Sequence, residues 1–202
     1  MGISCANGGT FADSSTCRTD GSTDFRGAVT PQLRAFEDRV LGQHFGGASV
    51  ARWERSPHYH AYHLVNVIAV GRTIPMSTIW HEFARRPAPT IGLKSRPART
   101  GERSLAMAAP VLGRGRGIPI PLPGGPVKHY VERGLLALIN ATMFGHVLHE
   151  GHIMRWVARK PDSSVECHTV GRGTTRLART NETMGLEIFD DLDMRIRAAL
   201  SN

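Results

Sequence analysis

The chain has 202 residues, 41% of them apolar, which is enough for an ordinary folded core and excludes a chain disordered throughout. Lys and Arg number 25 against 17 acids, a formal charge of +8, which suits nucleic acid or another anionic partner and equally suits plain solubility. No apolar run is long enough to span a bilayer as a helix.

The stretch from Gly2 to Gly27 is polar and rich in Gly, Ser and Thr, without the basic start and apolar run of a signal peptide. Residues 1–28 are therefore expected to be a flexible N-terminal segment, with 29–202 forming one α+β domain. Export would then use a signal-peptide-independent route or a larger polypeptide; otherwise the chain stays in the cytoplasm. Cys5, Cys17 and Cys167 make no disulfide scaffold, although a Cys5–Cys17 bridge is open to the chain in an oxidising compartment.

Thr30 as N-cap, Pro31 at the first helical position, and Leu33, Phe36, Val40 and Leu41 on one face predict a helix over 31–42. Gly46 and Gly47 end it. Ser49, in a Gly-x-Ser-x-Ala pattern, follows a helix rather than a strand, so it lacks the setting of a nucleophile elbow and reads as linker. The run HYHAYH (58–63) has metal-binding residue types, but no acid at a recognised spacing, and Tyr59 and Tyr62 suit packing. Residues 64–70 read as a buried strand. Ser77 is expected to cap a helix over 77–86. Its His81-Glu82 pair begins a zinc-protease motif that Arg85 breaks.

Between Arg85 and Pro126 lie eight of the 12 prolines, seven glycines, seven arginines and one lysine, against the single acid Glu102. Proline lacks a backbone donor and fixes φ, so 87–126 is expected to be an irregular basic arm. Arg114 and Arg116 are its candidates for contact with an anionic substrate or nucleic acid. The next stretch, 128–144, fits either a helix or a strand. A helix through about Arg133 and then a strand over 135–142 is expected.

The densest chemistry follows. His146, His149, Glu150 and His152 fall within seven residues, and Gly145 and Gly151 allow a tight loop there. Residues 152–159 alternate as a strand, with Met154, Trp156 and Ala158 on one face and Ile153, Arg155, Val157 and Arg159 on the other. Lys160 to Ser163 form a turn, and Val165 to Val170 return as the partner strand. Cys167 and His168 must then face opposite ways, which argues against their acting as a pair. The spacing His-x-x-His-Glu reverses the last two residues of a known zinc motif, so no metal is assigned and any cofactor stays open.

His146 and His149 are candidate proton-transfer groups and Glu150 an orienting carboxylate; Arg155 and Arg172 are candidates to stabilise developing negative charge. His152 and His168 join Arg114 and Arg116 as candidate substrate contacts. The same residues could instead cap strand ends. Finally, 183–200 reads as a helix. Its apolar stripe is Ile188, Phe189, Leu192, Ile196 and Leu200, with solvated pairs Asp191–Arg195 and Asp193–Arg197 on the opposite face.

The last quarter of the chain resembles the C-terminal segments of bacterial secreted effectors of the polymorphic-toxin kind. The positions that carry the likeness are His146, His149, Gly151, Arg155, Gly171, Gly173, Thr174 and Asn181. The resemblance implies a delivered toxin, and with it a cognate immunity or carrier protein; it implies no mechanism. Together these readings predict an α+β fold, with a small antiparallel meander over 135–170 packed by helices near 31–42, 77–86 and 183–200. The leading expected function is hydrolysis, most simply of a phosphodiester. A Cys167-based amidase or peptidase and a non-catalytic basic binding module are the alternatives.

Overall fold

A computed structural model describes residues 4–5, 17–19, 27–70, 74–90, 94–108, 122–175 and 178–201. The fold is α+β. Its strands are β1 (Ser4–Cys5), β2 (Cys17–Thr19), β3 (His60–Ala69), β4 (Arg103–Ala108), β5 (Leu122–Glu132), β6 (Ala137–Thr142), β7 (Gly151–Arg159) and β8 (Val165–Gly173). They form one antiparallel sheet in the order β1-β2-β3-β8-β7-β6-β5-β4. The meander expected from sequence is its centre, β5 to β8, and is wider than expected because β3 joins one side and β4 the other. Two short strands, with Cys5 opposite Cys17, arise from the stretch read as coil.

The helices are α1 (Pro31–His44), α2 (Val50–Trp53), α3 (Met76–Ala84) and α4 (Ala178–Ser201). α1 begins as its sequence predicts: the Thr30 hydroxyl accepts from the Leu33 N–H at 3.3 Å and Pro31 opens the first turn. It lays Leu33, Phe36 and Val40 on one face of the sheet, against Tyr130, Ile139, Met154, Trp156 and Val170. α3 and α4 cover the other face, where Ile79, Phe83, Ile196 and Leu200 meet Leu138, Val157 and Cys167. Each such side chain, fully buried, contributes roughly 1.5–3 kcal/mol.

Five expectations are corrected. Residues 128–132 are strand, not helix, because Tyr130 packs under α1 while His129 is buried on the opposite face. The basic arm is not irregular throughout. Residues 103–108 and 122–126 pair with each other as β4 and β5, and Gly124, skipped in the β4–β5 register, is a bulge that absorbs the local irregularity. Residues 109–121, with Arg114 and Arg116, lie outside the described residues. α3 starts at Met76 with Pro75 before it, so Ser77 is inside the helix rather than its cap. Asp193 is not on a solvated face but 1% exposed, paired with Arg155 from β7; Asp191–Arg195 does form, at 2.7 Å. Ser49 is not plain linker: its hydroxyl caps α2 by accepting from the Arg52 N–H at 3.2 Å.

Candidate functional site

The loop between β6 and β7 carries His146 and His149, and backbone bonds hold it to β5 and β8. The bulge carbonyl of Gly124 accepts from the Val147 N–H at 2.9 Å, and that of Pro126 accepts from Met143 at 2.9 Å. The Glu150 carbonyl accepts from the Thr174 N–H at 3.0 Å. Approach to β5 is so close that a Cβ on Gly125 would lie 2.5 Å from the His146 Cα. Gly151 has the same role at the loop's end, where a Cβ would meet the Leu148 carbonyl oxygen at 2.9 Å.

These bonds give the two histidines opposite proton arrangements. The Leu148 N–H donates to His146 Nδ1 at 3.0 Å, so neutral His146 carries its proton on Nε2. Burial, aided by the charge of His149, pushes its pKa down to about 4, which keeps it neutral near pH 7. It is a hydrogen-bond donor there, not a base. Thr142 fixes His149 the other way. The single hydroxyl proton of Thr142 goes to the Gly151 carbonyl at 2.8 Å while its oxygen accepts from the Gly151 N–H at 2.9 Å. His149 Nδ1, 3.3 Å from the same oxygen, must therefore be the donor, which leaves Nε2 as the basic nitrogen of the neutral ring.

His146 lies at a cleft on the α4 face of the sheet, with about 650 Å³ of space counted out to its open mouth. Tyr62, Val127, Ile153, Ile188 and Phe189 give it mostly apolar walls, with Asn140 and Thr142 as polar points. Gly171 and Gly185 make room for the Tyr62 side chain: a Cβ on Gly171 would lie 2.3 Å from its ring and one on Gly185 2.3 Å from its hydroxyl oxygen. Beside the histidines the loop exposes Phe144 (93%) and Val147 (54%).

The other candidates from sequence are dispersed. Glu150 is exposed. Arg155 is fully buried under α3 and α4, bonded to Asp193, to Thr169 Oγ1 at 3.1 Å and to the Arg86 carbonyl at 3.1 Å. Arg172 is on the α1 face, where Glu37 Oε1 accepts from its Nε at 2.8 Å and the Tyr59 hydroxyl from its Nη1 at 2.8 Å. His152 shares that carboxylate through Nε2 at 2.7 Å. Burial pushes the Glu37 carboxyl up, but the bond from His152 and the charges of His152, Arg172 and Arg34 outweigh it and bring the pKa down to about 2. His168 stacks on Trp156, centroids 4.6 Å apart, and Nε2 of His63 lies 3.3 Å from its Nδ1. Thus His146 and His149 share one loop, while Arg155 and Arg172 face opposite sides of the sheet.

Cys167 is fully buried on the face opposite His168. Burial and neighbouring Asp193 hold its thiol pKa well above the usual range, which is the reverse of what a nucleophile needs. Sequence reasoning missed Glu37 and Asp193, the acids that engage the two arginines, because each lies on an amphipathic helix where an acid reads as solvated. Glu37 does carry a signal: it sits beside Phe36 and one turn before Val40 and Leu41, on the buried side. Among the described residues no three His, Cys, Asp or Glu side chains gather as a metal site, and no helix is long and apolar enough to cross a membrane. Compared with protein families, with curated proteins and with solved structures, the chain matches none of them.

Proposed function

We propose that this chain is a hydrolytic domain of the secreted-effector kind, cleaving an ester-type bond at the His146–His149 loop. The observation that carries the reading is the opposite proton arrangement of two histidines on one loop, of which His146 lines the cleft. His149 Nε2 takes a proton from attacking water, and the His146 Nε2–H donates to the oxygen on which negative charge develops. Neutral His146 suits this role better than an imidazolium, because its proton stays in place across the working pH. The apolar walls favour a substrate with a substantial uncharged portion. Phe144 and Val147 are candidate contacts for an immunity or carrier protein.

Phosphodiester cleavage is the second reading, and the +8 charge favours it. The cations that would hold the phosphate would then be other than Arg155 and Arg172, whose guanidinium groups are engaged in buried ion pairs. Arg114 and Arg116 are the candidates.

The test has two arms. The purified chain is assayed against p-nitrophenyl butyrate and bis(p-nitrophenyl) phosphate, and the chain is expressed in a bacterium's cytoplasm and periplasm. His149→Ala is expected to lower turnover by about 10²–10⁴-fold and to relieve growth arrest, with the far-UV spectrum unchanged. Equal turnover in His149→Ala and wild type removes the site. Harmless wild-type expression in both compartments removes the effector reading.

A further inference from the structure

Away from that loop, a second arrangement holds a hydroxyl against a base. His129, on β5, is fully buried. Its Nδ1 lies 2.7 Å from Asn140 Oδ1, on β6, and its Nε2 lies 2.6 Å from the hydroxyl of Ser104, on the edge strand β4. Every proton in this chain has a fixed place. The Asn140 Nδ2 donates to the Pro87 carbonyl at 2.5 Å, so the amide cannot be turned and Oδ1 is the atom that faces His129. His129 Nδ1 must then carry the proton, Nε2 holds the lone pair, and Ser104 donates into it. Burial lowers the His129 pKa against the opposing pull of Asn140, so the ring is neutral and basic at neutral pH. Ser104 itself is only partly buried, and Ala106, two residues along β4, packs with Ala88 and Val127 in a buried apolar cluster that forms part of the cleft wall.

We infer that Ser104 is the nucleophile of a serine esterase centre, with His129 as its base, Asn140 as the positioning residue and a carboxylic ester of apolar acyl chain as substrate. This goes beyond the His146–His149 reading: the two share a cleft wall at Asn140 but no reacting atom. Ser104 Oγ bonds to the ester carbonyl carbon, its proton passes to His129 Nε2, and the carbonyl π pair moves to oxygen. Collapse breaks the bond to the alkoxide, which takes the proton from His129 and departs as alcohol. Water then attacks the acyl-serine, gives a proton to His129, and releases carboxylic acid as Ser104 Oγ recovers that proton. Ala88, Ala106 and Val127 line the path of the acyl chain. Asn140 fixes the tautomer but brings no negative charge to the imidazolium, so turnover is slow and the covalent adduct accumulates.

The test treats the folded full-length chain with a fluorophosphonate probe and locates the adduct by peptide mass spectrometry. The expected result is one phosphonylated residue, Ser104, with no adduct in Ser104→Ala and labelling of His129→Gln slowed by about 10²-fold or more. If His129→Gln does not fold, the pH profile of wild-type labelling takes its place. A plateau through neutrality marks an imidazole base, whereas a rate climbing roughly tenfold per pH unit into the alkaline range marks an unassisted hydroxyl and overturns the proposal. So does unmodified Ser104, or equal labelling in His129→Gln. The two readings fail separately: this centre is read by the Ser104 adduct alone, and the butyrate assay of the His146–His149 site is run in the Ser104→Ala background, where this centre cannot contribute.

Discussion

Arg155 and Asp193 form an ion pair buried between the sheet and α4, with the guanidinium also over the rings of Phe83 at 4.9 Å and Phe189 at 5.2 Å. Asp193 accepts a further bond from Asn66 Nδ2 at 3.0 Å. Burial pushes the Asp193 carboxyl up against the pull of Arg155. One strand on each side of β8 is thereby tied to α4. Removing a single partner leaves a buried charge uncompensated.

Asp193→Ala is accordingly expected to destabilise the fold by about 3–5 kcal/mol, read as a lower denaturant midpoint with little change in slope. The double variant Arg155→Leu/Asp193→Leu is expected to recover much of that loss, because apolar residues suit the space between Phe83 and Phe189. An Asp193→Ala protein as stable as wild type would show that the pair carries no such role.

Acid should weaken the protein in two stages. Burial lowers the His63 pKa from 6.5 to about 3 and that of His168 to about 4, even though Glu166 Oε2 lies 3.2 Å from His168 Nε2. As pH falls below about 6.5 the unfolded chain takes up these protons and the folded chain does not, so stability drops by roughly 1.4 kcal/mol per pH unit for each group. The Glu37 carboxyl is depressed from 4.5 to about 2, so its contribution is complete above about 4.5 and is lost between 4.5 and 2. Denaturation midpoints measured from pH 7 to 4 should show the histidine stage. His168→Phe, which keeps a ring beside Trp156 without the titration, should make that slope shallower by about one proton. An unchanged slope would mean that His168 is not held neutral by the fold.

Local pattern carried much of this architecture. The cap and stripe of α1, the 160–163 turn and the opposed directions of Cys167 and His168 all follow from side-chain period and turn chemistry, and all appear in the fold. What local pattern did not carry depends on partners distant in sequence. Lys128 to Glu132 reads as helix until β4 and β6 lie on either side of it. Asp193 reads as solvated until Arg155 meets it from 38 residues away. The histidine loop was legible as a concentration of titratable groups, but not its proton arrangement, which comes from the Thr142 hydroxyl and the Leu148 amide. Ser104, His129 and Asn140 come from three strands, and no spacing in the sequence joins them.

Gly125 offers the sharpest test of the loop. It sits at φ +118°, and a Cβ there would lie 2.5 Å from the His146 Cα and 3.0 Å from the Gly145 carbonyl oxygen. Both obstacles are backbone, so Gly125→Ala must displace the loop as well as strain β5, at about 1–3 kcal/mol. Because burial is what depresses the His146 pKa, displacement should raise it from about 4 towards 6.5. Hydrolysis at this site should fall in parallel. Gly145→Ala is the control: it has φ +90° but nothing within 4 Å of its Cβ, so it strains the backbone without forcing β5 from the loop. NMR titration of the His146 ring distinguishes the two. The expected outcome is a raised pKa in Gly125→Ala and a value near wild type in Gly145→Ala. Should His146 titrate alike in Gly125→Ala and wild type, the packing of β5 against the loop would not be what keeps this histidine neutral.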